Sequence, residues 1–86
     1  MKLKQGLILR EVAGSYVVID LGGGLDFKGM LTLNETGAFI WRALESGNNP
    51  EQISKLMAQE YEISEADALS DVNRFCEKMK NAGVFE

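Results

Sequence analysis

The chain has 86 residues, 45% of them hydrophobic and 26% charged, with a formal net charge of −4, no histidine and one cysteine. Such a composition belongs to one small globular domain that needs most of its apolar positions to close a core, and not to a disordered segment. The absences exclude an intrachain disulfide, a Cys/His zinc site and a histidine general base, and the acidic balance gives no basic excess with which to neutralise nucleic-acid phosphates.

At the start of the chain, Lys2 and Lys4 precede only a short apolar run, Leu7-Ile8-Leu9, which Arg10-Glu11 interrupts. This does not read as a signal peptide, and no run approaches the ~20 apolar residues of a membrane span. The expectation is a cytoplasmic protein with no membrane partner. Residues 7–12 form a first strand. Ala13-Gly14 is a turn signal, because glycine reaches positive φ at little cost. Ser15 to Leu21, rich in β-branched and aromatic residues, forms a second strand that pairs with the first as an antiparallel hairpin.

Gly22-Gly23-Gly24 follows. A phosphate-cradling loop needs a helix opening directly behind it, and Leu25-Asp26-Phe27-Lys28-Gly29 offers none, so the glycines read as a strand connection. Lys28-Gly29 is a second turn signal, and the third strand includes Met30 to Leu33. Leu31-Thr32-Leu33 alternates apolar, polar, apolar, as a half-buried strand does.

Asn34 is a good N-cap for a first helix over residues 35–46, since its side-chain oxygen can accept from a backbone N–H left free in the first turn. Ala38, Ile40, Trp41 and Leu44 give that helix an apolar face, and Gly47 stops it. Asn49-Pro50 opens a second helix with Pro50 at the first helical position, where its missing N–H costs nothing. Ile53, Leu56, Met57 and Tyr61 line one of its faces. Ser64 caps a third helix, with Asp67 in the reciprocal place of a capping box. Ala68, Leu69, Val72, Phe75, Cys76 and Met79 repeat along it at helical spacing, and Gly83 ends it. Val84-Phe85 can tuck back onto the core.

The order β-β-β-α-α-α makes residues 1–86 a single α+β domain: a three-stranded antiparallel sheet followed by three helices, winged-helix-like in shape. No catalytic constellation emerges. Glu51, Glu60, Glu62, Glu65, Asp67 and Asp71 sit at helix starts or on polar faces, where negative charge is favourable for dipole reasons alone. Cys76 lies on an apolar stripe with no histidine to activate it, so it reads as a small core residue and not as a nucleophile. No metal-ligating set is visible, and Met30, Met57 and Met79 read as core or groove lining. What remains is a surface. A three-stranded sheet leaves an open edge, and the common use of an open edge is addition of an extended peptide as a further strand. The third helix can wall a groove beside the third strand, with Phe75 at the margin of its apolar stripe among Asp71, Arg74 and Lys78.

Leu33-Asn34-Glu35-Thr36-Gly37-Ala38-Phe39-Ile40-Trp41, then Gly47, Ile53, Leu56, Tyr61, Asp71-Val72, Phe75 and Gly83-Val84 resemble the PqqD family. These are the RiPP recognition elements used in making ribosomally synthesised, post-translationally modified peptides. The family pattern is a Leu-Asn-x-Thr-Gly-x-x-Ile-Trp start and an Asp-Val…Gly-Leu/Val ending, and the likeness runs from Leu7 to Phe85. The resemblance implies a peptide-binding chaperone without catalytic activity or cofactor. It would take the leader of a precursor peptide as an added strand and present it to a modifying enzyme. In the namesake pathway that enzyme is a radical SAM protein, which carries the iron–sulfur cluster itself. Carried over by position, the groove would use Met30, Leu31, Thr32 and Leu33 from the strand, and Asp71, Val72, Phe75 and Lys78 from the helix. The glycine run and residues 25–29 lengthen the approach to the third strand beyond the family's commonest pattern. The alternative from another class is a winged-helix DNA-binding transcriptional regulator. The mixed charge of the third helix, Glu65, Asp67, Asp71 and Glu77 among Arg74, Lys78 and Lys80, speaks against it.

Overall fold

The structure is a computed structural model that describes residues 2–21 and 30–86. It contains β1 (Leu7–Val12), β2 (Ser15–Asp20), β3 (Met30–Leu33), α1 (Glu35–Glu45), α2 (Pro50–Tyr61) and α3 (Glu65–Asn81). The sheet is antiparallel in the order β1-β2-β3, so β2 is central and, among the described residues, β3 pairs on one side only. The α+β order and winged-helix-like arrangement expected from the sequence are both present. The glycine connection at residues 22–24 and the turn at 28–29 lie outside the described residues.

β1 and β2 join through a two-residue turn with positive φ at Ala13 and Gly14, the mirror-image geometry whose twist matches that of a hairpin. Leu21 falls just beyond β2 and is 68% exposed. Ser46 is the C-cap of α1, and the N–H of Gly47 donates to the Leu44 carbonyl at 3.0 Å, which ends that helix.

Each helix start is fixed by a side-chain acceptor. Asn34 Oδ1 accepts from the N–H of Gly37 at 2.8 Å. The full capping box belongs to α2: the N–H of Gln52 donates to Asn49 Oδ1 and the N–H of Asn49 donates to Gln52 Oε1, both at 2.8 Å. At α3 only half of the expected box forms. Ser64 Oγ accepts from the N–H of Asp67 at 3.1 Å, but the aspartate carboxyl, a methylene shorter than glutamate, makes no return bond.

The core has two parts. Ile40, Leu44, Ile53, Met57, Ala68, Val72 and Cys76 pack the three helices together. Val18, Leu33, Trp41, Met79 and Val84 pack the sheet against α1, α3 and the C-terminal segment. Phe75 touches both clusters. Trp41 is fully buried, and its indole N–H has no acceptor among the described residues. An unpaired N–H costs about 1–3 kcal/mol, less than the roughly 3–5 kcal/mol that a buried Trp ring contributes over alanine, so the ring stays inside.

One pairing was not anticipated. Leu3 bridges Phe85, the N–H of Lys4 donates to the Val84 carbonyl at 2.8 Å, and the N–H of Glu86 donates to the Lys2 carbonyl at 2.8 Å. Val84 is thereby held at 0% exposure, and Leu3 and Phe85 cover both core clusters from outside.

Candidate functional site

β3 runs directly into α1 through Asn34, and α3 passes alongside this junction. Between them lies an open groove of about 310 Å³. Its walls come from Thr32 and Leu33 of β3, Asn34, Thr36, Gly37 and Ile40 around the start of α1, and Asp71, Arg74, Phe75, Lys78 and Met79 of α3. The outer edge of β3 faces this space with no further strand paired to it among the described residues.

Five of the eight residues expected from the sequence meet here: Thr32, Leu33, Asp71, Phe75 and Lys78. Leu31 is half-buried and packs against the sheet-side core, one pleat from the groove wall. Met30 is the first residue of β3 and pairs with Ile19. Val72 belongs to the helical core and is not among the residues that line the groove. It sits three residues before Phe75, close enough on the helix to share its stripe but rotated fully inward.

Sequence reasoning passed over Asn34, Thr36, Gly37 and Ile40 as wall residues, while Arg74, expected beside Phe75, and Met79, expected as core or groove lining, do line the groove. Gly37 has the clearest structural reason. A Cβ there would stand 3.2 Å from Phe75 Cε2 and 3.0 Å from Asn34 Oδ1. The absent side chain lets the Phe75 ring lie against the first turn of α1 while Asn34 still caps that turn. The Thr-Gly pair in the quoted family pattern was the available signal, but its cause is a contact with α3 that local reading does not contain.

The rim is charged but lightly held. Arg74 donates to Asp71 Oδ1 at 3.2 Å, with side chains 76% and 47% exposed, a pair worth at most about 1 kcal/mol. Lys78 has no carboxylate partner among the described residues. The groove thus has an apolar floor of Leu33, Ile40, Phe75 and Met79 and a rim with one unpaired positive charge.

A second hollow, on the far side of α1 between α1 and α2, contains the edge-to-face pair Phe39–Tyr61 (centroids 5.6 Å apart) and Arg42 stacked 5.4 Å above Tyr16. Among the described residues it meets no free strand edge, so they offer it no backbone groups that could hold an extended chain. Burial pushes the Tyr61 hydroxyl up, with Glu35 and Glu60 adding to the effect.

Cys76 is buried, and burial pushes its thiol up, away from the reactive thiolate. No three acidic or cysteine side chains converge among the described residues. No helix among them is long and apolar enough to cross a membrane.

The family model for PqqD, coenzyme PQQ synthesis protein D, matches residues 15–84. Two solved structures are similar over nearly their whole length. One is TbiB1 in complex with the TbiA(beta) leader peptide, at a TM-score of 0.81 and 23% identity, covering 100% of this chain and 95% of that one. The other is a lasso peptide synthetase B1 complexed with the leader peptide, at a TM-score of 0.79 and 23% identity, covering 96% and 93%. No curated protein matches the chain. At this level of identity the two structures speak for the fold.

Proposed function

Since the chain belongs to the PqqD family, we propose that it is a non-catalytic carrier that binds the leader of a ribosomally made precursor peptide. The leader adds as a strand to the free edge of β3 and lays side chains into the groove walled by α3. It is then presented to a modifying enzyme of the radical SAM type, and the work is done in the cytoplasm. The observation that carries the reading is the juxtaposition of an unpaired strand edge with an apolar groove whose far wall is Phe75. Edge hydrogen bonds supply affinity without reading sequence, and the groove supplies selection. Both similar structures hold leader peptides, which supports the same use here. Any cofactor chemistry belongs to the enzyme partner in this reading.

The test is an NMR titration of labelled protein with a synthetic leader from the precursor encoded beside its gene. Shifts confined to 30–33 and to the 71–78 face of α3 are expected. Shifts on the α1–α2 side instead, or none up to near-millimolar peptide, sink strand addition at β3. Duplex DNA at low salt is the control: a chain of net charge −4 should give no salt-sensitive binding, and finding it would turn the reading toward a DNA-binding regulator.

A further inference from the structure

The register of the sheet decides which backbone groups of β3 are used by β2 and which face outward. In an antiparallel pair, positions alternate between residues that exchange both hydrogen bonds and residues that exchange none. The β1–β2 hairpin closes through two residues, with Val12 opposite Ser15. That tight turn makes Val12 and Ser15 an exchanging pair. At the other end, Leu21 donates its N–H to the Gly6 carbonyl at 2.9 Å, which keeps the same parity. The odd-numbered residues of β2, Ser15, Val17 and Ile19, therefore direct their backbone groups to β1. Tyr16 and Val18 direct theirs to β3, where they meet Leu33 and Leu31.

It follows that Leu31 and Leu33 are already bonded inward. Thr32, opposite Val17, turns both its N–H and its C=O to the free edge, as does Met30, opposite Ile19. Side chains follow the pleat. Leu31 and Leu33 pack on the core face, whereas the side chain of Thr32 is exposed. Residues facing each other across a strand pair share a face, and their neighbours take the other.

We infer that Thr32 is the residue that fastens the incoming strand, and that the strand it accepts carries two apolar side chains two residues apart. The peptide residue opposite Thr32 shares its outer face. The residues on either side of it share the face of Leu31 and Leu33 and enter the groove beside Phe75 and Met79. The site thus selects an apolar–any–apolar segment in extended form. The inference rests on the peptide-binding reading above and adds its register.

Proline substitution separates the two kinds of backbone position. Thr32→Pro removes an N–H that the sheet does not use, which an edge strand tolerates. Leu31→Pro removes one that pairs with Val18. The expected result is a folded Thr32→Pro variant whose affinity for the synthetic leader falls about tenfold or more, and an unfolded Leu31→Pro variant. Amide exchange on the unmodified protein gives a readout that needs no variant to fold. The Thr32 amide should exchange faster than those of Leu31 and Leu33 in the free protein, and should slow once leader saturates it. An alanine scan of the leader should find two sensitive apolar positions with one insensitive position between them. A leader that binds while the Thr32 amide stays unprotected, or whose sensitive positions are adjacent, overturns the register and leaves peptide binding standing. A leader that does not bind overturns both.

Discussion

The turn between β1 and β2 holds Ala13 at φ 52° and Gly14 at φ 84°. Glycine reaches this region freely, but alanine pays about 1 kcal/mol for the approach of its Cβ to the carbonyl. Ala13→Asn keeps the turn and relieves part of that cost, so it should raise stability by about 0.5–1 kcal/mol, read as a higher urea midpoint with an unchanged slope. The turn itself was legible because its chemistry is local: two residues between two strand-like runs. Gly37 was not legible in the same way. Its backbone is helical, so no turn rule flags it; its reason is the Phe75 ring 3.2 Å from where a Cβ would be. The caps at Asn34, Asn49 and Ser64 were local and readable, while which helix closes a full capping box depended on the third helical side chain: Gln52 reaches back, Asp67 is a methylene shorter than glutamate, and Gly37 has none.

α3 presents two apolar residues, three positions apart, to two different neighbours. Val72 is fully inside the helical core, and Phe75 lies half-buried across both clusters with part of its ring in the groove. Substituting each by alanine should separate folding from binding. Val72→Ala should cost about 2 kcal/mol of stability and leave leader affinity within about twofold, provided folded protein is compared. Phe75→Ala should cost less stability, about 1–2 kcal/mol for a half-buried ring, but weaken leader binding about tenfold or more, as truncated aromatic anchors do. Calorimetric unfolding and peptide titration of the two variants check this; equal loss of affinity in both would remove Phe75 from the floor of the groove. Helical periodicity put both residues on one stripe and marked Phe75 as marginal. It could not say that Val72 points away from β3, because that rotation is set by how α3 packs on α1 and α2.

For the molecule as a whole, stability should fall at alkaline pH. Burial pushes the Cys76 thiol up, outweighing a smaller downward pull from the chain's amino terminus, and burial also raises the Tyr61 hydroxyl. Both are acids whose protonated form the fold favours, so the unfolded chain releases its proton first. Stability is therefore intact below the ordinary thiol pKa of about 8.5 and falls as pH climbs through it toward the folded value, with tyrosine following above about 10. Urea midpoints at about pH 7 and about pH 9.5 should show the drop, and Cys76→Ala should remove its first part. Alkylation of Cys76 in the native protein should be slow at neutral pH for the same reason. The element order and its antiparallel hairpin were readable from alternation and helical period. The pairing of Leu3 with Phe85 was not, since two short flanking segments carry no periodicity and meet only once the core between them has formed.

β3 is four residues long, and among its described residues Met30 and Thr32 turn their backbone groups outward. So short a ledge sets a time as well as a place. A contact of this size ranks with small, transient interfaces, for which affinities of about micromolar are ordinary. With an association rate constant of about 10⁶ M⁻¹s⁻¹, a leader bound in the proposed way leaves after roughly one second. If the groove carries a leader as proposed, a ledge of this length lets one copy of the protein be loaded and emptied many times, so that a few copies can serve a larger pool of precursor.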